Sequence, residues 1–362
     1  MRLAVAGGGT GGHIYPAVAV IEALRDLEPA LDVVWLGVRG GPERTAAAER
    51  GWQFAPVAAA QVRGTGVRAP LRVAASLLGS VSAAQQMRRQ RAQALLATGG
   101  YVSVPAVVGS RLAGVPSLLF LPDVQPGWAV RFSRRFASLV GTTSDAARPY
   151  LGRSRVEVTG YPVRPTFFTA ERAGARRRLG LDERPALLVL GGSLGAFSLN
   201  QALLRWAPTL LVRAQVLHVA GRRDYAAVSE AAAAANLRPQ AGYHLFEYME
   251  NLPEAMVACD LVLCRAGASS LGELPAAAKP AILVPYPHSG AHQMSNARYL
   301  EREGVALVLE DAALGERLGA TVEQLLGDQP ALGRMADNAR RLARPRAARD
   351  LALLLQRLAR GS

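Results

Sequence analysis

Cysteine and lysine are almost absent from this 362-residue sequence. The two cysteines, Cys259 and Cys264, flank a strand-like run, and their spacing matches neither a disulfide framework nor a metal-binding motif. We therefore expect two small, buried core residues in a reducing compartment. Lys279 is the only lysine, so arginine supplies nearly all the positive charge behind the net value of +14.

Apolar runs long enough to cross a membrane are also missing. The two uncharged windows of that length, residues 92–110 and 186–204, are both interrupted by glycine motifs, which predict strand, loop and helix. The apolar residues after Met1 lead directly into a glycine loop and are too few for a signal-peptide core. A hydrophobic content of 50% with 19% charged residues excludes a disordered chain.

The excess of positive charge makes polyanionic partners plausible: nucleic acid, a nucleotide or an anionic membrane surface. No recognisable nucleic-acid-binding module accompanies that charge, so we do not expect a nucleic acid partner. The length favours two domains of ordinary size over one.

Two strand–glycine–helix units organise the chain. A buried strand over residues 186–190 precedes the second glycine loop, residues 191–195, and a strand over 3–6 precedes the first glycine loop, residues 7–13. Backbone N–H groups in such loops, at the positive end of a helix dipole, suit a phosphate. The first loop formally contains the dinucleotide fingerprint, but the next strand, 33–36, does not end in the carboxylate that would hold a ribose. This disfavours NAD.

Alternation of strands and helices predicts an α/β protein with two Rossmann-like, doubly wound parallel-sheet domains facing a cleft. Glycine and proline in residues 160–165 mark the boundary, giving domains over 1–162 and 163–340. A basic helix is predicted over 335–360, and its part from about 341 to 360 is expected to pack back on the first domain. The other predicted strands are 54–57, 95–97, 117–121, 139–142, 216–220, 243–246, 261–264 and 281–284.

A helix is also predicted over residues 70–91. Leu71, Leu78 and Val81 fall on one side of it, and arginines 88, 89 and 91 lie at its end. Two interpretations remain open: this side packs into the core, or it forms a basic, partly apolar patch that rests on anionic lipid.

Two facing sheets with glycine loops suit a nucleotide-sugar transferase, in which one domain binds the nucleotide and the other presents the acceptor. No Asp-x-Asp pair is present to hold a divalent metal at a diphosphate, so we expect neither a metal nor another cofactor. Helix N-termini and arginine must then stabilise the charge on the leaving nucleotide.

The motifs of the chain resemble those of the MurG family, in family order and over nearly the whole sequence. They are Gly9-Thr10-Gly11-Gly12-His13-Ile14-Tyr15-Pro16, Thr98-Gly99-Gly100-Tyr101-Val102-Ser103, Pro162-Val163-Arg164, Gly191-Gly192-Ser193-Leu194-Gly195-Ala196, Cys264-Arg265-Ala266-Gly267-Ala268 with Glu273, and His292-Gln293 with Asn296. The resemblance implies a metal-independent, inverting glycosyltransferase of the GT-B fold. Such enzymes move N-acetylglucosamine (GlcNAc) from UDP-GlcNAc to the 4-hydroxyl of the polyprenyl-pyrophosphoryl-linked muramoyl-pentapeptide, converting lipid I to lipid II. They work as peripheral enzymes on the cytoplasmic face of the membrane, in cell-wall synthesis.

By this resemblance, Glu273 holds the ribose hydroxyls, Arg164 and Ser193 contact the diphosphate, and Gln293 and Asn296 bind the sugar. Met249 offers its backbone to the uracil, and Arg265 frames the nucleotide pocket. The full donor-binding set implied by the resemblance is Thr10, Gly11, Gly12, Arg164, Ser193, Met249, Arg265, Ala268, Ser269, Ser270, Glu273, His292, Gln293 and Asn296.

His13 is the candidate general base, since it follows the first glycine loop at a helix start, where the positive helix end favours neutral imidazole. A histidine that only caps the loop is the alternative. The resemblance places Tyr101, Arg63 and Gly64 on the acceptor side.

The chain also departs from the family. The family's His-Glu-Gln-Asn reads Phe120-Leu121-Pro122-Asp123 here, and the asparagine before Pro162 is Tyr161. Either Asp123 takes over the lost catalytic role, or the acceptor is a different lipid-linked sugar. A related GT-B transferase, a UDP-GlcNAc 2-epimerase and a non-catalytic nucleotide-sugar-binding protein therefore remain as alternatives, and the oligomeric state is open.

Overall fold

The computed structural model describes residues 1–9, 11–59, 69–192, 195–289 and 291–361, and the side chains of 69–75 are outside this description. The chain forms two compact units. Unit 1 comprises Met1–Val163 and Arg346–Ser362, and unit 2 comprises Arg164–Pro345.

Unit 1 contains a seven-stranded parallel sheet with the strand order β3-β2-β1-β4-β5-β6-β7. Its strands are β1 Arg2–Gly7, β2 Asp32–Gly37, β3 Gln53–Pro56, β4 Ala94–Gly99, β5 Ser117–Leu121, β6 Leu139–Thr142 and β7 Val156–Val158. Its helices are α1 Gly11–Leu27, α2 Pro42–Ala48, α3 Ala69–Arg89, α4 Ser103–Ala113 and α5 Trp128–Ser133, with a 3-10 turn at Asp145–Tyr150. The central strands are buried along almost their whole length, as strands covered by helices on both faces should be.

Unit 2 contains a six-stranded parallel sheet with the order β10-β9-β8-β11-β12-β13. Its strands are β8 Ala186–Leu190, β9 Gln215–Val219, β10 Tyr243–Phe246, β11 Leu261–Cys264, β12 Ala281–Leu283 and β13 Ala306–Val308. Its helices are α6 Thr166–Thr169, α7 Arg172–Arg178, α8 Phe197–Leu210, α9 Tyr225–Ala234, α10 Leu252–Ala258, α11 Ser270–Ala276, α12 His292–Arg302, α13 Leu314–Gly327 and α14 Gln329–Leu342. Two 3-10 turns are Pro239–Ala241 and Asp311–Ala313. The two parallel α/β sheets predicted from the sequence are confirmed.

The predicted single helix over residues 335–360 is wrong. Helix α14 ends at Leu342, and a separate helix, α15, runs from Ala347 to Ala359. Pro345 lies between them, where its ring and its missing N–H prevent a continuous helix. Helix α15 belongs to unit 1 and contacts α1, β4 and β5, so the packing expected from about residue 341 begins only at 347.

Helix α3 contradicts the core-packing interpretation of its apolar side. Leu78 and Val81 are 70% and 50% exposed. The side that packs against α4 carries smaller residues, including Ala83 and Ala84, together with the fully buried Met87. Leu71 lies outside the described side chains.

Each sheet has one point where its strand order reverses. In unit 1, β1 lies between β2 and β4, and in unit 2, β8 lies between β9 and β11. The connections that leave neighbouring strands there diverge to opposite faces of the sheet. Ligands of doubly wound proteins bind at such a switch point, outside the carboxyl ends of the strands.

A chain of buried polar groups crosses unit 2. Asn200 donates through Nδ2 to the carbonyl of Ala220 and to Asp224, which leaves its Oδ1 as the acceptor for His218 Nε2, 2.9 Å away. Nε2 therefore carries the ring proton, and Nδ1 accepts from the Tyr243 hydroxyl at 2.7 Å. Loss of hydration lowers the pKa of His218 to about 3, so the ring is neutral.

The neutral His218 ring predicts acid-sensitive stability. Between its unfolded pKa near 6.5 and its folded pKa of about 3, the unfolded chain binds a proton that the folded chain does not. The free energy of unfolding therefore falls with decreasing pH, by about 1.4 kcal/mol for each pH unit below the unfolded pKa. We expect His218→Gln to weaken this dependence in urea unfolding between about pH 7 and about pH 5. The exposed His288→Gln is the control, and an unchanged dependence in His218→Gln would contradict the assignment.

Candidate functional site

His13 lies in the first turn of α1, at the switch point of unit 1. Its Nδ1 is 3.1 Å from the carbonyl oxygen of Gly8. Because a carbonyl oxygen only accepts hydrogen bonds, this contact places the ring proton on Nδ1 and the lone pair on Nε2. Nε2 is thus the atom through which His13 can accept a proton.

The pKa of His13 is lowered because burial removes water from the charged ring. The carboxylate of Asp123 and the hydrogen bond to Gly8 oppose this change. The direction of this pKa change is the expected one, but its cause is burial and not the positive helix end. The structure also brings the two predicted catalytic residues, His13 and Asp123, within electrostatic reach of each other. The hydroxyl of Thr98, the second-last residue of β4, donates to the His13 carbonyl at 2.6 Å and fixes the backbone of His13.

Two glycines at the end of β4, Gly99 and Gly100, pack directly against the first glycine loop. A Cβ on Gly100 would lie 2.4 Å from the carbonyl oxygen of Gly8, and one on Gly99 would lie 2.5 Å from Cδ2 of His13. Both residues have positive φ, +80° and +114°. Only glycine allows this approach. Tyr101 follows and is 47% exposed.

Four predicted site residues lie outside the described residues: Thr10, Arg63, Gly64 and Ser193. Gly11 and Gly12 are the first two residues of α1, so the helix begins inside the segment predicted as the first glycine loop.

At the switch point of unit 2, Glu273 is on the first turn of α11, directly after β11. Partial burial raises the pKa of its carboxyl, while a hydrogen bond with Ser269 and the positive charge of Arg164 lower it. Arg164 also donates to the carbonyl of Glu250, 3.0 Å away, in the turn after β10 that contains Met249. Four residues predicted to bind the nucleotide sugar thus lie around two neighbouring turns: Arg164, Met249, Ser269 and Glu273.

At the start of α11, the side chain of Ser270 fixes the backbone of the turn before the helix. Ser270 is buried and donates to the carbonyl of Gly267 at 2.6 Å, which closes the turn that contains Ala268. The roles predicted for Ala268 and Ser270 in donor binding stay predictions.

Arg265 has internal partners. Its guanidinium pairs with Asp311, donates to Ser198 at 2.7 Å and to the carbonyl of Val284 at 3.2 Å, and lies over the ring of Tyr286. With its side chain only 10% exposed, Arg265 joins the start of α8 to the connection after β12. Its predicted place at the nucleotide pocket stays a prediction.

Two amide side chains in the first turns of α12 also form hydrogen bonds within unit 2. Asn296 is fully buried and donates to the carbonyl of Ala266 at 3.1 Å, and Gln293 Oε1 accepts from the N–H of Tyr286 at 2.8 Å. These amides tie α12 to the connections after β11 and β12. His292 begins the helix. The structure thus gives Asn296 and Gln293 positioning contacts beyond the predicted sugar contacts.

The sequence reasoning missed two residues that contact the first glycine loop. Glu43 is only 2% exposed and accepts from the N–H of Gly9, and the hydroxyl of Tyr161 donates to the carbonyl of Gly12. A signal existed for each of them. Glu43 follows a pair of glycines at a helix start, and Tyr161 stands where the family has asparagine.

Within the described parts of the chain, no three His, Cys, Asp or Glu side chains are grouped closely enough to hold a metal ion. No helix among the same residues has both the length and the hydropathy needed to span a bilayer.

Comparison with known proteins matches each of the two units to a domain of one protein family. Residues 3–142 match the glycosyltransferase family 28 N-terminal domain, and residues 186–351 match the C-terminal domain of that family. The crystal structure of Acinetobacter baumannii MurG superposes with a TM-score of 0.76, at 26% identity over 98% of this chain and 99% of that one. The chain belongs to the MurG family of glycosyltransferases. The resemblance and the GT-B-type pair of Rossmann-like domains expected from the sequence are confirmed.

Two sequence relatives of this MurG family member are both named UDP-N-acetylglucosamine–N-acetylmuramyl-(pentapeptide) pyrophosphoryl-undecaprenol N-acetylglucosamine transferase. That of Roseiflexus sp. (strain RS-1) is 38% identical over 99% of this chain and 95% of its own length. That of Halothermothrix orenii is 33% identical over the whole of both chains. A UDP-N-acetylglucosamine 2-epimerase structure has a TM-score of 0.67 at 14% identity, over 98% of this chain and 96% of that one, and so shares the fold alone.

The contact between the glycine segments predicts a strong effect of Gly100→Ala. Gly114 is the matched control, since it also has positive φ, +73°, but open space around its Cβ position. We expect Gly114→Ala to cost about 1–2 kcal/mol of unfolding free energy from backbone strain alone. Gly100→Ala should cost about 1–3 kcal/mol more because its methyl group overlaps the Gly8 carbonyl. Urea unfolding measures both, and equal costs would contradict the contact.

Proposed function

We propose that this chain transfers GlcNAc from UDP-GlcNAc to the 4-hydroxyl of a polyprenyl-pyrophosphoryl-linked muramoyl-pentapeptide, the conversion of lipid I to lipid II. The observation that carries this proposal is His13, a histidine held neutral with its lone pair on Nε2. The names of the relatives supply the substrates, and the His13 geometry supplies a group able to activate the acceptor hydroxyl.

Unit 2 binds the donor in this proposal. The Glu273 carboxylate accepts hydrogen bonds from the two ribose hydroxyls, and the backbone near Met249 faces the uracil. Arg164, the backbone N–H groups at the start of α8 and the hydroxyl of Ser193 stabilise the negative charge of the diphosphate. Helix N-termini and arginine then perform the electrostatic role that a divalent metal performs in other transferases.

Unit 1 binds the acceptor and activates it. Nε2 of His13 takes the proton of the 4-hydroxyl as that oxygen bonds to the anomeric carbon of GlcNAc. The bond from that carbon to the diphosphate breaks on the opposite face, so the configuration inverts and UDP leaves with the electron pair. The nearby Asp123 carboxylate stabilises the imidazolium that forms. General-base help of this kind contributes about 10²–10⁴ in rate.

One observation favours a second acceptor. The family's polar His-Glu-Gln-Asn segment is replaced by residues 120–123, in which Phe120 is fully buried against Tyr161. Asp123 is the remaining charged group of that segment. A different lipid-linked sugar is therefore the alternative acceptor for the same chemistry.

Paired variants test the proposal, with UDP-GlcNAc and lipid I as substrates. We expect His13→Ala to lower the transfer rate by about 10²–10⁴ while the calorimetric Kd for UDP-GlcNAc changes little. Glu273→Ala should weaken donor binding by about tenfold or more, since it removes a charged hydrogen-bond acceptor. Glu22→Ala, on the exposed side of α1, is the control.

The products distinguish the alternatives. Transfer only to another polyprenyl-linked sugar would identify the second acceptor, and conversion of UDP-GlcNAc without any acceptor would identify an epimerase. Donor binding without transfer to any acceptor would contradict catalysis, and near-normal turnover of His13→Ala would remove it as the base.

We also infer that α3 rests on an anionic membrane, which makes the enzyme peripheral to the cytoplasmic face, where the lipid-linked acceptor is presented. Leu77, Leu78 and Val81 are 63%, 70% and 50% exposed. Arg88 and Arg89 follow at the end of the same helix and are exposed to solvent. Apolar side chains with neighbouring cations are the pattern of interfacial helices.

The combined variant Leu77→Ser, Leu78→Ser and Val81→Ser should bind anionic vesicles about tenfold or more weakly, because each serine removes buried apolar area. Sedimentation with phosphatidylglycerol vesicles measures this binding, which should also weaken with added salt. Val212→Ser is the control, since Val212 is 75% exposed but lies in unit 2. Equal binding of the triple variant and the wild type would contradict the inference.

A further inference from the structure

The first glycine loop carries His13, and two side chains from distant parts of unit 1 hold it. Glu43 is on α2, and Tyr161 lies after β7. Neither of them is among the residues predicted to bind a substrate or to act in catalysis. Each contacts the backbone of the loop, and the two contacts lie on either side of Thr10 in the sequence.

Glu43 holds the beginning of the loop. Its Oε2 accepts from the N–H of Gly9 at 3.4 Å, and its Oε1 accepts from the N–H of Val38 at 2.9 Å. A Cβ on Gly8, Gly37 or Gly41 would lie within 2.7 Å of a Glu43 side-chain atom. Glycine backbone thus surrounds the buried carboxylate of Glu43. The carboxylate therefore fits only while Gly8 and Gly9 keep their present positions.

Tyr161 holds the end of the loop. Its hydroxyl donates to the carbonyl of Gly12 at 3.2 Å, and the residue is only 4% exposed. Its ring packs edge-on against Phe120, with 6.0 Å between the ring centroids. The hydroxyl is therefore directed at Gly12 by a ring that has little freedom to move.

Both contacts bear on the imidazole of His13. His13 follows Gly12, whose carbonyl Tyr161 holds, and its Nδ1 bonds to Gly8, against which Glu43 packs. We propose that Glu43 and Tyr161 are positioning residues that fix the first glycine loop, and through it the ring orientation and Nδ1–H tautomer of His13. The role in catalysis rests on the proposed function, whereas the effect on the tautomer does not.

The family motifs give this pair a further meaning. Phe120 stands where the family has histidine, and Tyr161 stands where it has asparagine. Since the two rings are in contact, the two departures lie side by side in unit 1. In this chain an aromatic pair occupies these positions, and its hydroxyl supplies a hydrogen bond to the loop.

Tyr161→Phe tests the proposal most cleanly, because it removes one oxygen and keeps the ring against Phe120. Glu43→Gln removes the charge and one acceptor while keeping the shape. We expect each variant to lower kcat by about tenfold, with KM for UDP-GlcNAc nearly unchanged, since a small misplacement of a reacting group is costly. Tyr150→Phe and Glu49→Gln, both exposed, are the controls.

Nitrogen-15 NMR of histidine-labelled protein supplies a readout that does not depend on activity. In the wild type, the His13 signals should report a proton on Nδ1. In both variants they should shift toward a mixture of the two tautomers. His218, whose proton is on Nε2, provides an internal reference that should not change.

Two results would overturn the proposal. One is an unchanged His13 spectrum in Tyr161→Phe, whether kcat stays normal or falls together with the melting temperature. The other is a parallel change in kcat and in KM for UDP-GlcNAc. If Glu43→Gln does not fold, Tyr161→Phe alone decides. A shifted spectrum together with normal turnover of His13→Ala would support the positioning role and reject His13 as the base.

Discussion

The hydrogen bond between His13 Nδ1 and the Gly8 carbonyl is the interaction on which the chemistry proposed for unit 1 depends. It joins the two ends of the first glycine loop and determines which ring nitrogen holds the lone pair. Gly100, directly after β4, makes this hydrogen bond possible, since a side chain at that position would overlap the Gly8 carbonyl. Backbone packing therefore sets the protonation geometry of a side chain.

The two switch points share their topology but differ in chemistry. In unit 1 a carboxylate, Glu43, already contacts the N–H of Gly9, and a histidine follows the loop. In unit 2 the corresponding region gathers Arg164 and Glu273. In unit 2 the positive charge of Arg164 acts on Glu273 beside the strand ends, and such a cation suits an anionic phosphate. The two switch points thus share a fold but differ in the side chains that lie outside the glycine loops.

Much of the fold could be predicted because long buried strands leave a clear apolar pattern, as in β8 and β11. The missed strands, β7 and β13, have three residues each and are only partly buried, so their apolar pattern is too short to identify them. The exposed apolar side of α3 was ambiguous because periodicity shows that a face is apolar but not what covers it.

The motifs predicted which residues gather at the site, but not how each one is used. The internal partners of Arg265 and Asn296 come from α8 and from the connection after β11, which lie at other positions in the sequence. The partners of Glu43 are backbone N–H groups, so the glycine pair before it indicates a turn but not which loop its carboxylate contacts.

Helix α15 completes unit 1 only at the end of the chain. It buries Ala347, Leu351, Ala352 and Leu355, and contacts α1, β4 and β5, which are made some two hundred residues or more earlier. Unit 2 is one continuous stretch, whereas unit 1 is split in two around it. During synthesis on the ribosome, the second sheet can therefore acquire all of its strands while the first still exposes the apolar surface that α15 covers. The unit that contains His13 therefore receives its last helix only after every strand of the second sheet has been made.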